Sequence, residues 1–251
     1  VLVLLPPSEG KSAPSRGRPL DPASWPEQLR APREQVLDAL VSLCAERPEA
    51  AEVLGLGPSQ AGEVDRNASL RSAPTARADR VYAGVLYEHL DLPTLDTTAR
   101  RRATRRLAVT SSLFGVVRPD ERIPAYRLSG GVTLPGLGGV AAHWRAHLDP
   151  VLREMVGGGL LVDLRSSTYA AFWKPTGLRT ATVRVLQETD GKRSVVSHFN
   201  KATKGLLVRD LLAAGADPRT PAALAEAWRD LGWTVEGAGA QLDVVVTSSA
   251  G

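Results

Sequence analysis

The chain has 251 residues, 43% of them hydrophobic, with 31 Lys and Arg against 27 Asp and Glu for a net charge of +4. That supports a sizeable core and favours anionic partners, while no apolar run approaches the ~18–20 residues of a membrane span. The opening run Val1 to Leu5 is too short for a secretory signal, and the single cysteine, Cys44, excludes an internal disulfide and a multi-Cys zinc site, so the chain reads as a globular cytoplasmic protein, expected as a monomer.

Residues 1–5 are all apolar and stop at Pro6-Pro7, the pattern of a strand buried on both faces that delivers Ser8-Glu9-Gly10-Lys11-Ser12 at its end. An irregular proline-rich loop over 13–26 is followed by an amphipathic helix at 33–47, with apolar residues at 36, 37, 40, 41 and 44. Shorter helices are expected at 48–55, 58–64 and 77–87, and a further one at 97–106. Residues 107–109 lead into a strand, 140–155 read as a helix, and 160–164 as a second fully apolar strand. Strands at 182–187 and 194–199 are expected to join at the turn Asp190-Gly191. Helices at 200–212 and 221–231 and strands at 233–235 and 242–247 close the chain. The alternation predicts an α/β protein with a mixed sheet, one domain over 1–251, and a helical subregion at 30–75.

Chemistry concentrates at a few places. The stretch 109–128 breaks at Gly115 into a loop carrying Arg118, Asp120, Glu121, Arg122, Tyr126 and Arg127, stiffened by Pro119 and Pro124. It is either a pre-aimed functional loop or a turn whose charges pair with one another. Residues 100–106 place five arginines in seven positions, Arg100, Arg101 and Arg102 among them, as a solvated helix face or a phosphate contact. Leu54-Gly55-Leu56-Gly57-Pro58 has the form of a helix-hairpin-helix turn, in which Gly55 and Gly57 would admit a DNA phosphate, or of an ordinary turn between helices.

The strand at 160–164 empties into Arg165-Ser166-Ser167-Thr168-Tyr169, where an open α/β sheet places a ligand crevice. Ser166 caps a helix there or holds a phosphate oxygen. In Asn200-Lys201-Ala202-Thr203-Lys204, two of the chain's five lysines share a helix face in what reads as a first turn, a placement that either calls for an anion or leaves exposed lysines tolerated at small cost. His143 and His147 have metal-pair spacing without the accompanying glutamate, and no metal or cofactor is expected.

Several blocks taken in order, Leu4-Leu5-Pro6-Pro7-Ser8-Glu9-Gly10-Lys11, Val81-Tyr82-Ala83-Gly84, Leu113-Phe114-Gly115-Val116-Val117-Arg118-Pro119-Asp120, Pro124-Ala125-Tyr126-Arg127-Leu128, Asp163-Leu164-Arg165-Ser166-Ser167-Thr168-Tyr169 and Phe199-Asn200-Lys201-Ala202-Thr203-Lys204-Gly205, resemble the YaaA family of bacterial peroxide stress proteins. The resemblance implies a compact cantaloupe-like fold with a helix-hairpin-helix element, a positively charged cleft that binds DNA, and a role in limiting iron-dependent oxidative damage. Thr168 and Ser129 stand where the family commonly has acidic residues, which removes two carboxylates from any acid–base set.

Two functional readings follow. In the first, a DNA-binding stress protein holds backbone phosphate at Gly55, Gly57, Arg100, Arg101 and Arg102, while Arg118, Arg127, Ser166, Tyr169, Asn200 and Lys204 form an anion pocket. In the second, an enzyme acts on a nucleotide or damaged nucleobase with Lys11, Asp120, Tyr126 and Lys201 as its catalytic set. An interaction protein with these groups scattered is the third possibility.

Overall fold

The computed structural model describes residues 1–189, 192–194 and 197–247. The predicted turn at Asp190-Gly191 and the side chains of Ser197, His198 and Phe199 lie outside what is described. Among the described residues an eight-stranded sheet runs, in spatial order, Thr234–Glu236, Gln241–Thr247, Thr180–Thr189, Leu161–Asp163, Leu2–Leu5, Leu107–Ser111 and Gly115–Val117, with Lys192–Ser194 pairing as a branch on Thr180–Thr189. The five strands from Gln241–Thr247 to Leu107–Ser111 are parallel, and the two at the ends are antiparallel to their neighbours. The α/β class and mixed sheet expected from the sequence are therefore present.

Val3 lies opposite Leu107 on one side and Val162 on the other, which makes Leu2–Leu5 the central strand. All four of its residues are buried, as a strand with helices on both faces requires. Two helical groups supply the cover. One pairs Glu27–Glu46 with Gly62–Ala68 and Val140–Val156; the other brings together Val85–Leu90, Thr97–Arg106 and Ser197–Ala214. A single hydrophobic cluster runs through both, from Leu2 to Val244.

The differences from the predicted elements have local causes. The helix expected from 33 starts at Glu27 and carries Pro32 inside it. The helix expected at 77–87 is two, Ala78–Val81 and Val85–Leu90, broken where Gly84 takes φ +93°. Of the strand expected at 194–199, Ser194 closes the described strand Lys192–Ser194, residues 195 and 196 lie outside the described residues, and residues from Ser197 are helical. This last shift places Lys201 and Lys204 beyond the first turn, where the helix dipole no longer opposes their charge.

The central strand and Leu161–Asp163 position the site. The chain leaves Leu2–Leu5 toward Leu107–Ser111 on one side and leaves Leu161–Asp163 toward Thr180–Thr189 on the other. Outgoing connections that diverge open a crevice at the carboxyl ends of the two strands.

Candidate functional site

That crevice holds a cavity of about 540 Å³, within the range that takes a drug-sized or nucleotide-sized ligand. Pro6 to Gly10 form one wall, Leu164, Ser166 and Tyr169 a second, Ala83 to Tyr87 a third, and Asn200, Lys201 and Lys204 the fourth. Its apolar side comes from the proline pair, Val85 and Leu86; its polar side from Glu9, Ser166 and the two lysines.

The Pro6–Ser12 segment is held against residues 81–87 by hydrogen bonds at several points. Tyr87 Oη donates to the Pro6 carbonyl at 2.7 Å, the Ala83 N–H donates to Ser8 Oγ at 3.1 Å, and the Ser12 N–H donates to the Val81 carbonyl at 2.8 Å. Lys11 forms a β-bridge with Tyr82. Its Nζ donates to the Ser8 carbonyl at 2.8 Å and lies 4.0 Å from the centre of the Tyr126 ring. Burial lowers the Lys11 ammonium to about 7, against a smaller opposing pull from the Glu9 carboxylate.

Beneath Lys11, Tyr126 Oη is shared with Ser111 Oγ at 2.8 Å and Tyr82 Oη at 3.1 Å, and Phe114 N–H donates to the same Ser111 oxygen at 3.0 Å. Burial raises the Tyr126 phenol above its ordinary range, and Tyr126 is not among the cavity's lining residues. Its ring forms a floor beneath Lys11.

Glu9 connects the groups around it. Its Oε1 accepts from Tyr169 Oη at 3.2 Å and its Oε2 lies 3.6 Å from Arg127 Nη2. Arg127 is fixed by Asn67, whose side chain donates to the Arg127 carbonyl at 2.7 Å and accepts from its N–H at 2.9 Å. Across the cavity, Lys204 Nζ is 3.4 Å from the Leu164 carbonyl, and burial lowers its pKa. Lys201 and Lys204 thus line the cavity, while Lys11 is bonded to the Ser8 carbonyl of its wall and Arg127 reaches it only through Glu9.

Other predicted site residues lie elsewhere. Arg118 donates to the carbonyls of Arg105 and Leu107 at 2.8 and 3.3 Å, at the amino end of Leu107–Ser111 and so at the opposite end of the sheet from the cavity. Asp120 lines a separate concavity with Arg18, Asp21 and Thr75. Gly55, at φ +65°, borders an open concavity that also contains Glu9 and Arg127, so this turn adjoins the strand-end site. The Gly57 N–H is engaged by Gln60 Oε1 at 3.2 Å.

The arginine-rich helix divides by its period. Arg102 and Arg106, four apart, turn inward: Arg102 donates to the carbonyls of Leu212 and Ala213 at 2.9 and 3.2 Å, and Arg106 to that of Ala216 at 2.9 Å, closing the carboxyl end of Ser197–Ala214. Arg100 and Arg101 remain exposed on the outer face.

Sequence reasoning missed the supports. Arg165 makes a two-pronged contact with Asp163, 2.9 Å from Nε to Oδ1 and 2.7 Å from Nη2 to Oδ2, and donates to the carbonyls of Tyr169 and Trp173. This fixes the loop that presents Ser166 and Tyr169. The available signal was an Asp and an Arg two residues apart at a strand end. Among the described residues no three His, Cys, Asp or Glu side chains gather as a metal site. His143 Nε2 instead lies 3.1 Å from the Pro32 carbonyl.

The fold and site define an α/β protein with a largely apolar, lysine-bearing cavity at its topological switch point. The family model for the peroxide stress protein YaaA matches residues 1–238, and the chain belongs to that family. A UPF0246 protein of Streptomyces coelicolor is 56% identical over 241 residues, covering 94% of this chain and 92% of the relative. A UPF0246 protein of Corynebacterium efficiens is 41% identical over 240 residues, covering 94% and 95%. Among the described residues no helix is long and apolar enough to cross a membrane.

Proposed function

We propose that this peroxide stress protein acts by binding DNA, with the strand-end cavity as the anion-holding part of a basic cleft. The observation that carries the reading is that Lys201 and Lys204 line a cavity to which Glu9 supplies the only carboxylate among its described lining residues, and that carboxylate is itself faced by Arg127 at 3.6 Å. Such an excess of cationic groups calls for an anionic guest, and a phosphate meets both the lysines and the Ser166 hydroxyl. In this reading the Gly55 turn, which shares Glu9 and Arg127 with the cavity's rim, is the helix-hairpin-helix element and holds an adjoining stretch of backbone.

A second reading, an enzyme acting on a nucleotide or damaged nucleobase, is favoured by one specific feature, a lysine amine near neutrality at the strand end. Of its catalytic candidates Lys201 lines the cavity, Lys11 is bonded to the Ser8 carbonyl of the cavity wall and sits over the Tyr126 ring, and Asp120 lines a separate concavity.

Fluorescence anisotropy with labelled DNA across a salt series tests the proposal. Affinity should fall steeply with salt, and the Lys201→Ala, Lys204→Ala double variant should flatten the slope by about 0.7–0.9 log units for each phosphate that is no longer neutralised. A wild-type slope near zero would overturn it.

A further inference from the structure

The strand-end cavity makes three different demands on whatever fills it. The first is for a hydrogen-bond donor. Asn200, one of the lining residues, keeps its Oδ1 buried with no hydrogen-bond partner among the described residues. A buried acceptor in that state is costly, and a guest that brings an N–H or O–H within reach relieves it. The second is for an anion. Lys201 and Lys204 follow Asn200 on the same helix, and across from them the Ser166 side chain makes no capping bond to the short helix it precedes, so its hydroxyl is left to donate. The third is for a flat apolar body, because Pro6, Pro7, Val85, Leu86 and Leu164 make the greater part of the wall apolar.

A phosphate alone meets only the second demand. Its oxygens accept, so it cannot answer Asn200, and it leaves the apolar wall uncovered. A nucleobase meets the other two, with ring faces for the wall and N–H groups at its edge. Adenine fits both ends of the Asn200 amide, since its amino group donates to Oδ1 while the ring nitrogen beside it accepts from Nδ2. At about 540 Å³ the cavity has room for a base, a sugar and a phosphate together. Past Tyr87 the adjoining concavity is lined by Asp79, Glu88 and Asp91 against Arg80 alone, a balance that turns further phosphates away on that side.

We propose that the strand-end cavity binds a free adenine nucleotide, with Asn200 reading the amino edge of the base and Lys201, Lys204 and Ser166 holding the phosphate. The inference rests on the phosphate-holding role that the DNA-binding reading gives these lysines. It adds a residue that reads a base, and a small ligand that competes with DNA for the same cations.

The test titrates the full chain by isothermal titration calorimetry with adenosine monophosphate, with purine riboside monophosphate, which is the same nucleotide without its amino group, and with ribose phosphate. Wild type should bind the adenine nucleotide about tenfold tighter than the one lacking the amine, the worth of a hydrogen bond to an otherwise unpaired buried acceptor. Ribose phosphate should bind more weakly than either. In Asn200→Leu the two nucleotides should bind within about twofold of each other, because the group that couples to the amine is gone. Equal wild-type affinity for the two nucleotides overturns the inference, whether or not the variant folds. So does a preference for the amine that survives in Asn200→Leu, or a wild type that binds none of the probes. Labelled DNA, titrated in parallel with wild type and with the Lys201→Ala, Lys204→Ala variant, separates the two readings. DNA binding that depends on the lysines, without any preference for the amine, removes the inference and leaves the DNA-binding reading standing. Nucleotide binding that depends on both the amine and Asn200, by a chain that binds no DNA, removes the DNA-binding reading and supports the nucleotide site.

Discussion

Gly205→Ala probes the contact that brings two walls of the cavity together. Gly205 lies in Ser197–Ala214 where that helix crosses Val85–Leu90, so one helix supplies Lys201 and Lys204 and the other Leu86 and Tyr87. A Cβ at this position would fall well inside contact distance of the Leu86 carbonyl oxygen, 2.9 Å from the Leu90 nitrogen and 3.0 Å from His89 Cβ. Two of these atoms are backbone and cannot rotate away, so the helices must separate. Alanine in a helix interior gains about 1 kcal/mol over glycine, whereas overpacking a tight contact costs about 1–3 kcal/mol. With backbone as the obstacle the cost sits in the upper part of that range, for a net loss of about 1–2 kcal/mol. For a chain of this size that is a drop in Tm of about 2–8 °C, readable by circular dichroism. DNA affinity should fall with it, because Lys204 moves away from the Leu164 side of the cavity. Gly62→Ala is the control: it is also helical, and a Cβ there meets nothing within 4 Å. A Gly205→Ala protein that melts at or above wild type would refute the argument, since propensity would then have outweighed the clash.

Two further outcomes follow from the site and its surroundings. Arg102→Ala removes donors from the last carbonyls of Ser197–Ala214 and should lower stability by about 1–2 kcal/mol in urea unfolding while leaving DNA affinity unchanged; weaker binding at unchanged stability would contradict that structural role. For Lys11 the sign is fixed by its lowered pKa of about 7: between that value and the ordinary lysine range the unfolded chain binds the extra proton, so wild type should gain stability relative to Lys11→Met as pH rises from 7 to 10, with no change below 7. Urea midpoints of the two proteins that stay parallel from pH 6 to 10 would show that the amine is not desolvated.

The sheet was readable because parallel strands buried on both faces are written as continuous apolar runs, and residues 2–5, 107–109 and 160–164 are such runs. The meeting of Glu9, Ser166 and Tyr169 was readable for a related reason, since each follows the carboxyl end of such a strand. The choice between the two readings of the loop after Gly115 was not legible, because a sequence does not show which distant groups its charges meet. Glu121 pairs with Arg33 at 3.0 Å across 88 positions, Arg122 Nε donates to Thr75 Oγ1 at 3.2 Å, and Arg118 binds carbonyls at the far end of the sheet. These charges tie the loop to the body of the protein. In the arginine run the division is written in the spacing itself: positions four apart share a helix face, which separates Arg102 and Arg106 from Arg100 and Arg101.

The persistence of Lys11 as a buried amine follows from what lies on either side of it. Taking an ammonium out of water costs several kcal/mol unless partners replace the missing hydration. Here the Ser8 carbonyl accepts one proton, and the Tyr126 ring face at 4.0 Å supplies a further attraction. The Tyr126 ring stays in place because its hydroxyl is held by Ser111 and Tyr82, and Tyr82 in turn stacks on Tyr87. Tyr87 belongs to both the strand-end cavity and the concavity beyond it. The aromatic support that makes a buried Lys11 tolerable is therefore joined to the Tyr87 ring that borders both concavities. Tyr87 belongs to Val85–Leu90, so a change at either end, protonation at Lys11 or displacement of that helix, is expected to reach the other through these stacked and hydrogen-bonded tyrosines.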